Sequence, residues 1–344
     1  MENPIKTRTY KASAALVLAL VMMLMMALAW LVSVSLGSAH AQSYPSRPVK
    51  LISPFPPGGG VDIVGRLVGQ MVGPRLGQQV NLENMSGASG QIGTLAVARA
   101  AADGYTLLFA PPTPITIAEH FEPRPQYDLK RDFAVIGMIG RNPGVIVVNA
   151  TAIKAADLKS FIALARSQPG KIFYGSPGQG HAFHLSTELF AREAGIQLSH
   201  VPYKGSGPAV IGLIAGDVQF MVQSVEAVKE HIRAGKLRAL ATLESTRLEA
   251  FPQLPTLAES GLKNLNVVNW YGVFAPARTP RDILARWEKE LLALPQDPTF
   301  VARMREMSFD PIALGSADFV RMLDAEREQW ASVIKAAGVS TAKN

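Results

Sequence analysis

The chain of 344 residues contains no cysteine. This absence excludes a disulfide framework and an N-terminus that carries lipid on a cysteine. Without disulfides, the folded protein must be stabilised by its hydrophobic core alone. A chain of this length can bury a core of sufficient size, and the length favours two domains over one.

The sequence also lacks clusters of basic residues. The formal net charge is +7, but lysine and arginine are scattered and are not interleaved with aromatic residues, so we exclude nucleic-acid binding. Three cations and one anion lie before Gln42, so the rest of the chain carries +5. A mildly basic surface favours small anionic ligands, although only weakly.

Motifs of catalysis, metal binding and cofactor binding are absent as well. There is no Gly-x-Ser-x-Gly nucleophile elbow. His181 and His184 have a spacing that could place them on one helix face, but no second pair of ligands stands nearby. The dinucleotide pattern Gly-x-Gly-x-x-Gly fails because Gly58 and Gly60 place Ile63 at the third glycine position. We therefore predict no catalytic residue, no metal and no cofactor.

The N-terminal segment has the pattern of an export signal. Three cations precede an uncharged, mostly apolar run over residues 14–32, and Ala39-His40-Ala41 offers a small-residue cleavage site before Gln42. We predict that residues 1–41 are a cleavable signal peptide that directs the protein to the periplasm. Because the apolar run is long for a signal peptide, an uncleaved membrane anchor is the alternative.

Beyond this segment, predicted strands and helices alternate, which is typical of an α/β protein with parallel sheets covered by helices. A single sheet would be very wide, so two lobes fit better. The predicted strands are 79–83, 106–110, 145–148, 171–174, 199–201, 218–222 and 237–241. The predicted helices between them include 93–101, 156–167, 184–194, 208–215 and 227–234. Thr279 and Pro280 are predicted to begin a later helix as its N-cap and first residue.

The chain is organised around residues 53–62, which we call loop one. A predicted strand, 49–52, precedes it and a predicted helix, 61–76, follows it. The three glycines 58–60 have no side chains, so their amides could touch a ligand directly. A helix N-terminus leaves unpaired N–H donors, which favours an anion. The alternative is an ordinary glycine-rich turn between a strand and a helix.

Three more glycine-rich or polar loops follow predicted strands: loop two (84–93), loop three (175–181) and loop four (203–208). Ligands of open α/β sheets bind beyond the carboxyl ends of strands. We therefore predict a cleft with loops one and two on one lobe and loops three and four on the other. His181 could meet a carboxylate, while Lys204 is either a ligand contact or a solvated lysine. Asp62 either stabilises the helix dipole or contacts a ligand amine or hydroxyl.

Short blocks of this sequence occur in the order of a known family. The blocks are Tyr44–Pro48, Pro54–Gly60 with Asp62, Ala102–Tyr105, Tyr174–Gly180, His200–Gly205, Ala215–Asp217, Ala234–Ala239, Leu254–Glu259 and Trp270–Gly272. They resemble the Bordetella uptake gene (Bug) family, the extracytoplasmic solute receptors of tripartite tricarboxylate transporters. The likeness runs from about Tyr44 to Gly338.

The resemblance implies a two-lobed, type II periplasmic-binding-protein (Venus-flytrap) α/β fold, with a cleft between two parallel-rich sheets. Lobe 1 would comprise 42–145 and 265–344, and lobe 2 would comprise 146–264. The protein would close around a small organic carboxylate or amino acid and deliver it to the transporter's membrane subunits, acting as a monomer. Carried over by position, the ligand contacts would be Pro57, Gly58, Gly59 and Gly60 on lobe 1 and Ser176, Gly178, Gln179 and Gly180 on lobe 2.

The sequence also departs from this family. His181 and Phe183 replace small polar residues, and Gln223-Ser224 stands where members often have an acid. Residues 83–86 lack the Arg-Pro that commonly follows the asparagine. These departures leave the ligand open. An exported α/β enzyme and a membrane-anchored carboxylate sensor remain the alternative functions.

Overall fold

The computed structural model describes residues 20–27, 44–262 and 269–337. It divides into two units, residues 1–46 and 47–344. In the first unit, residues 20–27 are helical and their apolar side chains are exposed. The rest of the predicted signal peptide, with its cleavage site, lies outside the described residues. Within the described ranges, none of the helices has the length and apolar character needed to span a membrane.

The second unit alternates strands and helices for most of its length. Its strands are β1 (Val49–Ser53), β2 (Val80–Asn84), β3 (Thr106–Ala110), β4 (Phe133–Arg141), β5 (Gly144–Asn149), β6 (Phe173–Ser176), β7 (Ser199–Pro202), β8 (Phe220–Ser224), β9 (Leu237–Thr242), β10 (Trp270–Pro276) and β11 (Asp310–Gly315). Its helices are α1 (Gly60–Leu76), α2 (Gln91–Ala98), α3 (Leu129–Asp132), α4 (Leu158–Ser167), α5 (Ala182–Ala194), α6 (Ser206–Ala215), α7 (Val225–Arg233), α8 (Arg281–Ala293), α9 (Pro298–Glu306) and α10 (Ser316–Ala337).

The strands form two sheets. The first has the order β11-β4-β10-β3-β1-β2, and the second has the order β7-β6-β8-β5-β9. In the first sheet β1 pairs in parallel with β2 and β3, whereas β10 is antiparallel to both β3 and β4. In the second sheet β6 is parallel to β7 and β8, whereas β5 is antiparallel to β8 and β9. Both sheets are therefore mixed, and the expectation of parallel-rich sheets holds only for the side of each sheet that carries loops one to four.

The chain crosses between the sheets twice. It passes from the first to the second between Arg141 and Gly144, and it returns between Thr242 and Trp270. The strand pairs formed by β10 explain why the first sheet is built from both ends of the chain: Pro276 lies opposite Phe133, and Trp270 lies opposite Arg141. The first crossing leaves the carboxyl end of β4 and passes the carboxyl end of β8, because the Val225 amide donates to the Pro143 carbonyl at 2.9 Å. The second crossing leaves the carboxyl end of β9.

One continuous hydrophobic core packs against the second sheet. Phe220 stacks on Phe161 and Phe190 with ring centroids 4.9 and 5.5 Å apart. Trp330 of α10 and Phe121, which precedes β4, belong to the same buried cluster. The end of α10 therefore packs with residues of the second sheet, although β11, the strand that precedes α10, belongs to the first.

One predicted helix start was wrong in detail. Helix α8 begins at Arg281 with Pro280 at its N-cap. The Thr279 hydroxyl instead donates to the carbonyl of Pro276 at 2.8 Å, so it closes a turn and does not cap the helix. The helix that follows loop one was predicted well: α1 ends at Leu76, and its C-cap Gly77 has a φ of 77°, the left-handed conformation that glycine readily adopts.

Candidate functional site

Loop one is held in shape by the side chain of Asp62. The carboxylate accepts hydrogen bonds from the Gly58 amide at 3.1 Å, from Asn84 at 2.9 Å and from two nitrogens of Arg66 at 2.9 and 3.2 Å. Burial raises the pKa of Asp62, but these hydrogen bonds outweigh it and keep the pKa below its usual value. The Asp62 side chain therefore faces its own loop and stays ionised.

The tip of loop one is exposed and open. Pro57, Gly58 and Gly59 are exposed, and a Cβ at Gly59 would meet no atom within 4 Å. No side chain caps α1. Among the described residues, the amides of Gly59 and Gly60 have no hydrogen-bond partner, so they remain donors for an anion. Gly60 packs closely against Tyr271: a Cβ added at Gly60 would collide with the Tyr271 hydroxyl.

Loop two packs against loop one. The Met85 amide donates to the Ser53 carbonyl at 2.8 Å, and the Asn84 side chain donates to the Phe55 carbonyl at 3.0 Å. A Cβ at Gly93 would lie 2.6 Å from the Met85 carbonyl oxygen, so only glycine allows this approach. The two loops therefore form one braced surface at the carboxyl ends of β1 and β2.

In loop three, side chains of the same lobe occupy two of the predicted amide donors. The Gly178 amide donates to Ser176 Oγ at 3.2 Å, and the Gly180 amide donates to His184 Nδ1 at 3.1 Å. In this conformation those two amides, like the Gly58 amide, donate to side chains of the protein and are not available to a ligand. His181 Nδ1 accepts from the Phe183 amide at 3.2 Å, so the neutral ring carries its proton on Nε2 and can donate from there.

Three aromatic rings stack behind loop three. His200 lies between Tyr174 and His184, with ring centroids 4.8 and 4.0 Å away, and its Nε2 is 2.7 Å from Ser176 Oγ. Burial lowers the pKa of His200 to about 4, and burial together with its histidine neighbours lowers the pKa of His184 to about 3. Burial also lowers the pKa of His181 to about 4. All three rings are therefore neutral near pH 7, so His181 can meet a carboxylate as a hydrogen-bond donor but not as a cation.

Because the stacked histidine rings are neutral in the folded protein, we predict that its free energy of unfolding falls in mild acid. A histidine in the unfolded chain has a pKa of about 6.5. Below that pH the unfolded chain therefore binds protons that the folded chain does not bind. The stabilisation by neutral His184 is complete above pH 6.5 and is lost as the pH falls towards 3. Between pH 7.5 and 5, we expect His184 to lower the free energy of unfolding of the wild-type protein by about 2 kcal/mol. His184→Gln should not show this decrease, and its side-chain oxygen can still accept from the Gly180 amide.

Urea unfolding at pH 7.5 and 5.0 measures this effect. His231→Gln is the matched control, since His231 lies on α7 outside the stack. Equal pH dependence of the free energy of unfolding in His184→Gln and His231→Gln would contradict the account of the stack.

Loop four joins loop three and carries a cation. The Tyr203 amide donates to the Ser176 carbonyl at 3.0 Å, and the Gly205 amide donates to the Pro177 carbonyl at 2.9 Å. Helix α6 begins there without a side-chain cap. Lys204 is exposed and forms no ion pair with any described residue. This lobe therefore offers a helix N-terminus and a lysine, in addition to loop three.

Sequence reasoning missed the residues beneath these loops. Asn142, Gln223 and Tyr271 are at most 4 % exposed, and they lie where the chain crosses between the sheets, together with Glu226 at the start of α7. Asn142 donates to the Tyr271 hydroxyl at 2.9 Å. The one available signal was the polar pair Gln223-Ser224 at the end of the otherwise apolar strand β8, which had been noted only as a departure from the family.

The arrangement contains little that could perform covalent chemistry. Ser176 and His200 are in hydrogen-bond contact, but Ser176 is fully buried and its hydroxyl also contacts the Gly178 backbone. A ring with a pKa of about 4 is also a weak general base at neutral pH. No group of three or more potential metal ligands occurs in the part of the chain that the structure describes.

A surface depression of about 610 Å³ is lined by none of the residues of the four loops. It is lined by charged residues that include Glu119, Asp128, Arg131 and Arg327. Arg327 is paired with Glu119, and Arg131 is paired with Asp132 at 2.7 Å. Because these charges neutralise one another, the four loops are the better candidate for an anion site.

Comparisons with known proteins agree with the resemblance seen in the sequence. Residues 64–339 match the family model of the tripartite tricarboxylate transporter family receptor. The chain is 36 % identical over 300 residues to protein BugT of Bordetella pertussis, covering 87 % of this chain and 91 % of BugT.

Solved structures extend the likeness to the fold. A Rhodopseudomonas palustris protein solved with adipate has 32 % identity and a TM-score of 0.80, covering 86 % of this chain and 99 % of that one. MatC from the same organism, solved with bound malate, has 27 % identity and a TM-score of 0.75, covering 85 % and 100 %. These structures share the two-lobed α/β fold with two mixed sheets. This chain belongs to the tripartite tricarboxylate transporter receptor family of solute-binding proteins.

Proposed function

We propose that this protein is an extracytoplasmic receptor that captures a small organic carboxylate in the cleft between its lobes, closes around it by a hinge and delivers it to a tripartite tricarboxylate transporter. The observation that carries the proposal is the exposed tip of loop one, where the unpartnered amides of Gly59 and Gly60 begin an uncapped helix. The related structures with adipate and malate support a carboxylate as the ligand class.

Energetics require both lobes. Micromolar affinity corresponds to about 8 kcal/mol, whereas a helix N-terminus contributes only about 0.3–1 kcal/mol at an exposed site. Hydrogen bonds to a charged group contribute about 1.5–3 kcal/mol each. Loop one alone is therefore too weak. Lys204, the start of α6 and His181 Nε2 would add donors from the second lobe when the cleft closes.

The proposed lobes keep the predicted bounds, 42–145 with 265–344 and 146–264, except that β5 of the second sheet already begins at Gly144. Their hinge would lie near Asn142–Gly144 and in the segment that returns to β10. Pro57, Gly59, Gly60 and Gln179 are proposed as contacts at the cleft surface. Ser176, Gly178 and Gly180 would position loop three, as Asp62 and Gly58 position loop one.

A thermal-shift screen tests the binding function. At 100-fold excess over Kd, a ligand that binds only the folded state stabilises the protein by about 2.7 kcal/mol. We expect at least one carboxylate from a panel of di- and tricarboxylates, amino acids and aromatic acids to raise Tm and to be recovered unchanged. Conversion of the stabilising compound would identify an enzyme and end the receptor proposal.

Export and delivery are part of the same proposal. We expect the protein isolated from the periplasm to begin at Gln42, and mass spectrometry of the intact protein measures this directly. Retention of residues 1–41 would favour a membrane-anchored sensor.

A further inference from the structure

Three polar side chains lie around the point where the chain passes from the first sheet to the second, where the Val225 amide donates to the Pro143 carbonyl at 2.9 Å and Gln223 lies opposite Val145. We call Asn142, Gln223 and Glu226 the floor cluster. Asn142 follows β4 on the first sheet, Gln223 ends the apolar run of β8 on the second, and Glu226 lies in the first turn of α7. Asn142 is 4 % exposed and Gln223 is 0 % exposed. Burial raises the pKa of Glu226 above its usual value, although hydrogen bonds with the Ser224 and Asn142 side chains oppose this shift.

Each side chain of the floor cluster has a polar atom without a partner. Asn142 Nδ2 donates to the Tyr271 hydroxyl at 2.9 Å, and Gln223 Oε1 accepts from the Ser224 amide at 2.9 Å. Asn142 Oδ1, Gln223 Nε2 and Glu226 Oε2 are buried, and among the described residues they make no hydrogen bond. An unsatisfied buried polar group costs about 1–3 kcal/mol. Three of them at one place indicate a site that is completed by something else.

The floor cluster is continuous with loop one. Gly60 lies against the Tyr271 hydroxyl, and that hydroxyl accepts from Asn142. Glu226 is close enough to Tyr271 for its charge to raise the pKa of the phenol, although burial is the larger cause. The polar contacts therefore lead from the anion-binding tip of the first lobe, through Tyr271 and Asn142, to the start of α7 on the second.

We propose that the floor cluster is a specificity subsite that recognises a hydroxyl group on the bound carboxylate; this rests on the proposed receptor function. Asn142 Oδ1 is an acceptor and Gln223 Nε2 is a donor, while Glu226 Oε2 accepts when the carboxyl is ionised and can donate when it is protonated. A hydroxyl can donate to one of the acceptors and accept from Gln223 at the same time. An ammonium offers no acceptor to Gln223, and an unsubstituted methylene offers neither partner.

The expected discrimination is large. A site built to hydrogen-bond a substrate hydroxyl rejects the analogue that lacks it, because the polar groups of the site are then left buried and unpaired. The subsite thus separates hydroxy acids from diacids of the same length.

Calorimetric titration with matched ligands tests the subsite. The first series is succinate, malate and aspartate, and the second is glutarate, 2-hydroxyglutarate and glutamate. We expect the hydroxy acid of at least one series to bind at least tenfold more tightly than both of its analogues. Gln223→Met and Glu226→Met are expected to reduce this preference to less than threefold while binding of the unsubstituted diacid is retained. Glu230→Met, on the same helix but exposed, is the matched control and should keep the preference.

The outcomes separate the two proposals. Failure of the wild-type protein to bind any carboxylate, these series included, overturns the receptor function. Equal affinities within a series, or tightest binding of the amino acid, overturns the subsite while the receptor function stands. An equal loss of affinity for all members in both methionine variants would mean that the floor cluster is structural, which also overturns the subsite. Should one variant fail to fold, the other still decides.

Discussion

Gly59→Val is expected to weaken carboxylate binding at least tenfold while leaving the fold intact. Gly59 has a φ of −90°, which valine can adopt, and a Cβ there meets no atom within 4 Å. The valine side chain would therefore stand in the open space where an anion must approach the amides of Gly59 and Gly60. Calorimetry with any carboxylate that binds the wild-type protein measures the change, and tenfold corresponds to about 1.4 kcal/mol.

Gly60→Val separates blocked approach from a damaged fold. A Cβ at Gly60 collides with Tyr271 and lies 3.2 Å from Phe309, so this variant should lose stability as well as binding. Gly59→Val should instead melt within a few degrees of the wild-type protein. Wild-type affinity in a well-folded Gly59→Val would place the ligand elsewhere.

Asp62→Ala is expected to lower both the stability of the protein and its affinity for carboxylate. The Asp62 side chain is 7 % exposed and holds the Gly58 amide, Arg66 and Asn84 together. Hydrogen bonds that involve a charged group contribute about 1.5–3 kcal/mol each, and the partners here can regain water in part. We therefore expect a loss of about 2–3 kcal/mol in the free energy of unfolding by urea, with weaker binding because the tip of loop one is no longer braced.

Asp282→Ala is the matched control for that variant. Asp282 is also an acid in the first turn of a helix, but it is exposed and forms no ion pair with a described residue. Removing it deletes a favourable charge–dipole interaction of about 0.3–1 kcal/mol. Similar effects of Asp62→Ala and Asp282→Ala would mean that Asp62 acts through the helix dipole and does not brace the loop.

The sequence predicted the parts of this fold that local signals specify. The strand before loop one, its three glycines and the helix to Leu76 follow one another within a short stretch, and Gly77 ends the helix as its conformation requires. Antiparallel pairing of β10 with β3 and β4 was not predicted. Strand β10 is wholly buried and β4 is largely buried, so neither shows clear alternation, and their pairing joins residues more than 120 positions apart.

Within the candidate site, the sequence indicated which loops to consider but not how their amides are used. His184 accepts from Gly180 across the start of one helix, and Asp62 accepts from Gly58 across the start of another. Such contacts depend on side-chain directions that a sequence pattern does not contain. The floor cluster was harder still, because Asn142 follows a strand of the first sheet whereas Gln223 belongs to a strand of the second, so no local pattern relates them.

Mass spectrometry of the protein purified from the periplasm without denaturation tests the central claim most directly. The account predicts one small carboxylate per chain, released intact on unfolding and bound again without chemical change when returned to the emptied protein. A protein that carries no carboxylate and takes up none from the panel would contradict the account, and so would a released compound that the protein converts into another.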